Sequence, residues 1–360
     1  SINLALSNRG IRALEFLGIS KDIMKIAIPM QKRVIHSKTG NLTEQSYGET
    51  NQAIYSISRH NLNAKLIQIA ENNAVQFHFN KECVDVNLED SKLEFKNGFS
   101  IKTDYVFGAD GAGSIIRKKM STSFSDFKTT EKFINSSYKE ISIPANSDET
   151  HKLQNNALHI WPRKSFMVIA LPNLDGTFTC TLFAPKNGQN SFSSLKTKLD
   201  VDGFFEQNFR DLKTIIPDIA SQYFKNPTSS LGFVRCSSWK KNNTILIGDA
   251  CHATVPFYGQ GMNAGFEDCF LLNEWINKHH DLSNDNIISF LATRRLNTMA
   301  MQDLSMANFI EMQSKTANPK FLLQKKIEAW FSNKHPEKWT PLYSMVTFSQ
   351  IDYYEAMQKG

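Results

Sequence analysis

Gly248-Asp249-Ala250-Cys251-His252-Ala253, continued by Pro256-Phe257-Tyr258-Gly259-Gln260-Gly261-Met262-Asn263, is the stretch whose reading decides the fold. It follows the apolar run Thr244 to Ile247, which reads as a strand, and leads into a helix beginning near Gly261. That helix carries Phe266, Phe270, Leu271, Trp275 and Ile276, with Asp281 just beyond its end. A carboxylate thus stands at a strand's C-terminal end, one loop from a helix N-terminus. An acid so placed can hold a sugar hydroxyl, while the glycines let the backbone approach a flat ring. Free N–H groups at the helix start favour negative charge by roughly 0.3–1 kcal/mol. Gly248-Asp249 alone reads as a strand-ending turn; the longer string argues for a site.

Working outward, Tyr105-Val106-Phe107 reads as a second buried strand that runs into Gly108-Ala109-Asp110-Gly111, with Ser114 to Met120 beginning a helix. Arg59 to Ala70 has helical apolar spacing, with Ser58 as its N-cap. Between these α/β segments lies a meander: Ala157 to Trp161, Phe166 to Leu171 and Phe178 to Phe183, separated by turns at Pro162-Arg163-Lys164 and Pro172 to Gly176. This predicts antiparallel sheet. Ile287 to Gly360 reads as mostly helical. The expected architecture is α/β flanking an antiparallel insert, with a ligand between the layers.

Composition excludes several classes of function. The 360 residues, 41% hydrophobic, can bury substantial cores without staples. A formal charge of +6, from 41 basic and 35 acidic residues, is a mild excess, and the basic pairs are scattered, so no nucleic-acid partner is expected. Five cysteines with no C-x-x-C suggest a reducing compartment and neither a disulfide framework nor a zinc ribbon. No apolar run approaches the ~20 residues of a membrane span. His279-His280 lacks ligand partners at useful spacing, so no metal is assigned. His252 lies near Asp249, but without a G-x-S-x-G elbow and on a segment read as extended, it is taken as structural.

The Gly248-Asp249 string resembles the Gly-Asp motif of flavin-dependent aromatic hydroxylases, the group related to p-hydroxybenzoate hydroxylase. Asp110-Gly111-Ala112-Gly113-Ser114-Ile115-Ile116-Arg117 resembles the same family's D-G-x-x-S-x-x-R motif, which serves FAD and reduced pyridine nucleotide. Further strings resemble the kynurenine 3-monooxygenase branch: Ser1 to Ser7, Ile28 to Ser37, Leu158 to Arg163, Phe178 to Phe183, Gly259 to Asp268, Asp303 to Asn308 with Ile310 to Met312, and Pro341 to Phe348. The G-x-G-x-x-G signature is absent, and Ser1 to Ser7 looks like the segment that normally follows it. The resemblance therefore implies a preceding piece of at least roughly thirty residues.

What the resemblance implies is an α/β fold: a Rossmann-like FAD-binding domain interleaved with an antiparallel β-sheet substrate domain, plus C-terminal helices. The expected divisions are 1–126 for FAD with a substrate-contacting insert near 28–57, 127–236 for the sheet domain, 237–305 for FAD again, and 306–360 for the helical region. The implied activity is NADPH- and O2-dependent hydroxylation of L-kynurenine to 3-hydroxykynurenine through a flavin C4a-hydroperoxide. Arg33, Tyr47, Asn308 and Tyr343 would surround the amino-acid head, where a guanidinium grips a carboxylate with two hydrogen bonds. Ala5, Arg59, Cys83, Asp110, Asp249, Gly261, Met262 and Asn263 would hold FAD, Cys83 only through its backbone. Pro256, Phe257, Gly259 and Gln260 would form the flavin-side loop, with the cofactor carrying the chemistry and no acid–base dyad. Two alternatives stand beside this: a hydroxylase of another aromatic acid, and a non-catalytic truncated or split flavoprotein. The expected state is a cytoplasmic monomer or homodimer, or attachment to the mitochondrial outer membrane if a C-terminal anchor follows Gly360.

Overall fold

The computed structural model describes residues 3–47, 52–282, 286–314, 319–335 and 338–360. Its largest sheet has seven strands in the order Thr228–Cys236, Thr129–Ile143, Phe178–Pro185, Phe166–Pro172, Ala157–Arg163, Lys32–His36 and Leu42–Ser46. The meander is antiparallel as its turns predict. Its outer strand, however, pairs in parallel with Lys32–His36, which arrives from far upstream. Alternation along these strands separates two faces. Trp161, Val168, Ala170, Cys180 and Leu182 pack on the helices Lys198–Asn208, Arg210–Ile215 and Ile219–Lys225 through Phe204, Phe205 and Phe209. Leu158, Ile160, Met167, Ile169 and Thr181 face a cavity on the other side.

Across that cavity lie two small sheets. Asn3–Leu6, Ile54–Ser58 and Ala27–Met30 form one, antiparallel, with Ile54–Ser58 in the centre. In the other, Thr244–Leu246 runs parallel to Val106–Gly108. Ser58 caps the helix Arg59–Asn72 by accepting from the Asn61 N–H at 3.4 Å, and Ser114 caps Ile115–Ser123 by accepting from the Arg117 N–H at 2.9 Å. The helix after the Gly-Asp loop spans Gly261–His279, and the tail is helical over Asn286–Ser314, Pro319–Lys334, Leu342–Phe348 and Tyr353–Lys359.

One local expectation is corrected. Asp249–His252 is a single helical turn, not an extended segment, because Gly248 at φ +58° turns the chain and its carbonyl accepts from the N–H groups of Cys251 and His252.

Candidate functional site

A cavity of about 1820 Å³ lies between the large sheet and the small ones. One wall is formed by two loops at the ends of the parallel strands: Ala109, Gly111 and Ala112 after Val106–Gly108, and Gly248 and Asp249 after Thr244–Leu246. Local chemistry explains their shape. The Asp110 carboxylate accepts from the N–H groups of Ile115 and Ile116 at 2.8 and 3.2 Å, filling the free donors of that helix start. Arg117 is fully buried and donates to the carbonyls of Ala112 and Ala250 and to the Glu131 carboxylate, at 2.6, 2.7 and 2.6 Å. It thereby ties both loops together. The side chains of the D-G-x-x-S-x-x-R string are engaged within the protein, and what reaches the cavity is backbone.

Beneath the Gly-Asp turn runs a buried ionic chain. Asp268 accepts from His252 Nε2, from Arg294 Nε at 2.6 Å and from the Gly248 N–H at 3.3 Å. Arg294 also meets Glu267 at 2.7 Å, and Glu267 meets Arg9 at 2.8 Å. Burial pushes the Asp268 carboxyl up, but the charges on His252 and Arg294 outweigh it and hold the group below the ordinary carboxylate value. His252, read from sequence as structural, is buried and bonded to Asp268.

Pro256, Phe257, Gly259, Gly261 and Met262 continue this wall, with Ala5 and Arg59 beside them. The helix from Gly261 starts without a side-chain cap, so its first N–H groups open toward the cavity. Gln260 and Asn263 do not line it. The Asn263 amide bonds Ala5 O at 2.9 Å, Gly259 O at 2.8 Å and the Ser7 N–H at 2.9 Å, and the Gln260 amide accepts from the Tyr353 hydroxyl at 3.0 Å. Both shape the loop from behind. Cys83 also lies off the cavity, its thiol directed at the Asp85 carbonyl.

The opposite end is built from side chains. Arg33 stacks on Tyr343, its Cζ 4.1 Å from the ring centroid, and lies 5.1 Å from that of Tyr47. Tyr47, Tyr343 and Tyr258 form a stacked series with centroids 5.6 Å apart in each pair. Among the described residues, Nε of Arg33 and the Tyr47 hydroxyl are buried without a hydrogen-bond partner and no carboxylate pairs with Arg33. Burial opposes the charge on Arg33, yet Tyr343 and Tyr47 hold its pKa above the ordinary arginine value; burial likewise raises Tyr47. Asn308 lines the same end and donates to the Phe257 carbonyl at 2.6 Å, while Phe257 stacks on Phe309 at 4.2 Å.

Arg33, Tyr47 and Tyr343 therefore meet in one place, reached by the Pro256–Gly261 loop through Tyr258, while Asn308 lines the same cavity and is bonded to that loop at Phe257. Tyr258 and Glu311, which lie in quoted strings but were given no role of their own from sequence, also stand on the cavity wall. Glu311 lies within electrostatic reach of Tyr258, and its helical spacing of three from Asn308 was the available signal. Among the described residues no group of three or more His, Cys, Asp or Glu could hold a metal, and no helix is long and apolar enough to cross a membrane.

The first wall fits a flavin. At Gly111 and Gly248, both at positive φ, a side chain would project into open space where a flat cofactor can lie against backbone. Asp249 offers an exposed carboxylate for sugar hydroxyls, and the uncapped helix start and Arg59 suit an anionic group. Comparison with known proteins agrees. Residues 4–281 match the family model described as FAD binding domain. The kynurenine 3-monooxygenase of Flavobacterium johnsoniae is 52% identical over 366 residues, covering 100% of this chain and 82% of the relative. That of Dictyostelium discoideum is 40% identical, with coverage of 100% and 82%. Among solved structures, Klebsiella pneumoniae HpxO complexed with FAD and uric acid has a TM-score of 0.73 at 16% identity, covering 100% of this chain and 88% of that one. The tetrameric form of 2-methyl-3-hydroxypyridine-5-carboxylic acid oxygenase has 0.71 at 20%, covering 94% and 88%. These two likenesses concern the fold alone.

Proposed function

We propose a reaction from one premise: the chain belongs to the kynurenine 3-monooxygenase family of FAD-binding proteins. It is an FAD-dependent aromatic monooxygenase that uses NADPH and O2 to hydroxylate L-kynurenine to 3-hydroxykynurenine. The observation that carries the substrate assignment is the uncompensated Arg33 between Tyr47 and Tyr343, opening into the same cavity as the Gly248–Asp249 turn.

FAD would be held by the backbone of Ala5, Gly111, Gly248 and Gly261–Met262 with Asp249 and Arg59, and when bound it supplies hydride acceptance from NADPH and activation of O2. The protein's own part is binding, orientation and exclusion of water. Arg33 grips the amino-acid carboxylate, and the Tyr47 and Tyr343 hydroxyls donate to it. Asn308, tied to the Phe257 carbonyl, fixes the loop against which the aromatic ring lies. Leu158, Ile160, Met167, Ile169 and Phe257 give that end apolar walls, which keep water from the reacting ring. No side chain there needs to take a proton.

The domain division given above is part of the same proposal, with 28–57 contributing Arg33 and Tyr47 to the sheet domain. A cytoplasmic location is supported by five free thiols. The test is kynurenine-dependent NADPH oxidation with added FAD and quantified 3-hydroxykynurenine. Product is expected; a bound flavin without product from kynurenine would overturn the substrate assignment.

A further inference from the structure

Directly behind Arg33, on the other face of the same strand, three contacts run in series. Asp211 Oδ2 lies 3.1 Å from His36 Nδ1, His36 Nε2 lies 2.9 Å from His159 Nδ1, and His159 Nε2 lies 2.8 Å from the Gln154 carbonyl. Each is a hydrogen bond only if a proton sits between its atoms. Two neutral imidazoles carry one N–H each, and a carboxylate and a carbonyl carry none, so the neutral pair leaves one contact as two facing lone pairs. Both histidines are buried, where such a clash is not relieved by water.

The missing proton has one consistent place. His159 is held neutral: burial, outweighing the bond to the Gln154 carbonyl, lowers it to about 4, so its single proton belongs on Nε2, facing Gln154. Asp211 stays ionised, since its Oδ2 already accepts from Trp161 Nε1 at 2.6 Å; burial raises it, but the bonds from His36 and Trp161 bring it below the ordinary value. His36 then carries protons on both nitrogens, donating to Asp211 and to His159. Its ring also stacks on Trp161 at 3.9 Å and 22°, a favourable place for a cation. The other charges around it are turned elsewhere: Arg163 donates to the carbonyls of His36 and Ser37, Lys38 to Asn208, Lys152 to the Ile215 carbonyl, and Lys32 pairs with Glu44.

We infer that His36 is a positioning residue: an imidazolium bridging Asp211 and His159 that sets the register of the strand carrying Arg33. The strand needs such a device. Its other neighbour, Leu42–Ser46, is a largely exposed hairpin arm, and on the back face only Val34 and His36 are deeply buried. A one-residue slip would turn Arg33 away from the cavity. The functional half of this inference rests on the reading of Arg33 as the substrate-head ligand.

The test begins with imidazole 15N shifts of the full chain, assigned with His36→Gln and His159→Gln. The expected pattern is two protonated nitrogens for His36 and an Nε2–H tautomer for His159; two neutral rings would overturn the inference. Asp211→Asn removes the counter-charge while preserving shape. It should release the His36 proton, speed amide exchange along Lys32–His36 about tenfold and weaken kynurenine binding by about the same factor, as expected for loss of a charged hydrogen bond. Asp211→Glu should restore all three. Unchanged exchange in Asp211→Asn would refute the positioning role. If kynurenine fails to bind even the unaltered chain, the substrate reading falls, while the nitrogen shifts and exchange rates still decide the charge and the register.

Discussion

Along the cavity wall formed by Ala109–Ala112 and Gly248, Asp110, Arg117, Asp268 and His252 are engaged within the protein, and backbone is presented inward. At the other end, polar atoms of Arg33 and Tyr47 are buried and left open. A wall meant for a large planar cofactor gains from rigid backbone, because every displaced loop would shift many contacts together. An end meant for a small zwitterion keeps its charges uncompensated, since a guanidinium already paired with a protein carboxylate would have to surrender that partner. One end is built for stability, and the other holds binding capacity at stability's expense.

Substitutions should break this contrast in opposite directions. The largest effect is expected from Asp268→Ala, which takes the buried partner from His252 and leaves Arg294 with Glu267 alone, and should lower the unfolding free energy by about 3–5 kcal/mol in urea titrations. Because the folded-state pKa of Asp268 is depressed, its stabilisation is present above the ordinary value of 3.8 and lost as the pH falls through the lower folded value. The acid-side fall in stability should be shallower in the variant.

Arg33→Met should do the reverse. Kynurenine affinity, read by calorimetry, is expected to drop about 100-fold, whereas the ligand-free protein should keep its melting temperature or gain slightly. A destabilised variant with normal affinity would erase the contrast. Tyr47→Phe removes a hydroxyl that has no hydrogen-bond partner among the described residues, so an affinity loss of about fivefold with unchanged unfolding is expected. Smallest is Asp249→Asn, at an exposed position: flavin binding followed by fluorescence should weaken about threefold, with unfolding free energy within about 0.5 kcal/mol of the parent.

How much of this was legible depends on where the bonds close. The antiparallel meander and the capped helices at Ser58 and Ser114 were readable because turn residues and caps act within a few positions. The helical turn at Asp249–His252 was not, because it depends on the positive φ of Gly248 and on Asp268 reaching up from the next helix. Asn263 and Gln260 carried a cofactor expectation from resemblance, yet their amides bond the protein itself, Asn263 to the backbone of Ala5, Ser7 and Gly259 and Gln260 to the Tyr353 hydroxyl, a distinction invisible without coordinates.

The sequence by itself determined the turn after Val106–Gly108: Asp110 to Ile115 and Ser114 to Arg117 close within five residues, so residue type alone dictates its shape. Only the tertiary structure decided that Arg33, Tyr47 and Tyr343 meet and that Asn308 lines the same cavity. That meeting depends on Lys32–His36 pairing in parallel with Ala157–Arg163, a junction spanned by histidines 123 residues apart, and on helices folding back over it. Long-range packing of this kind leaves no periodic signature in the chain, since each residue is ordinary where it stands and acquires its role from its neighbours.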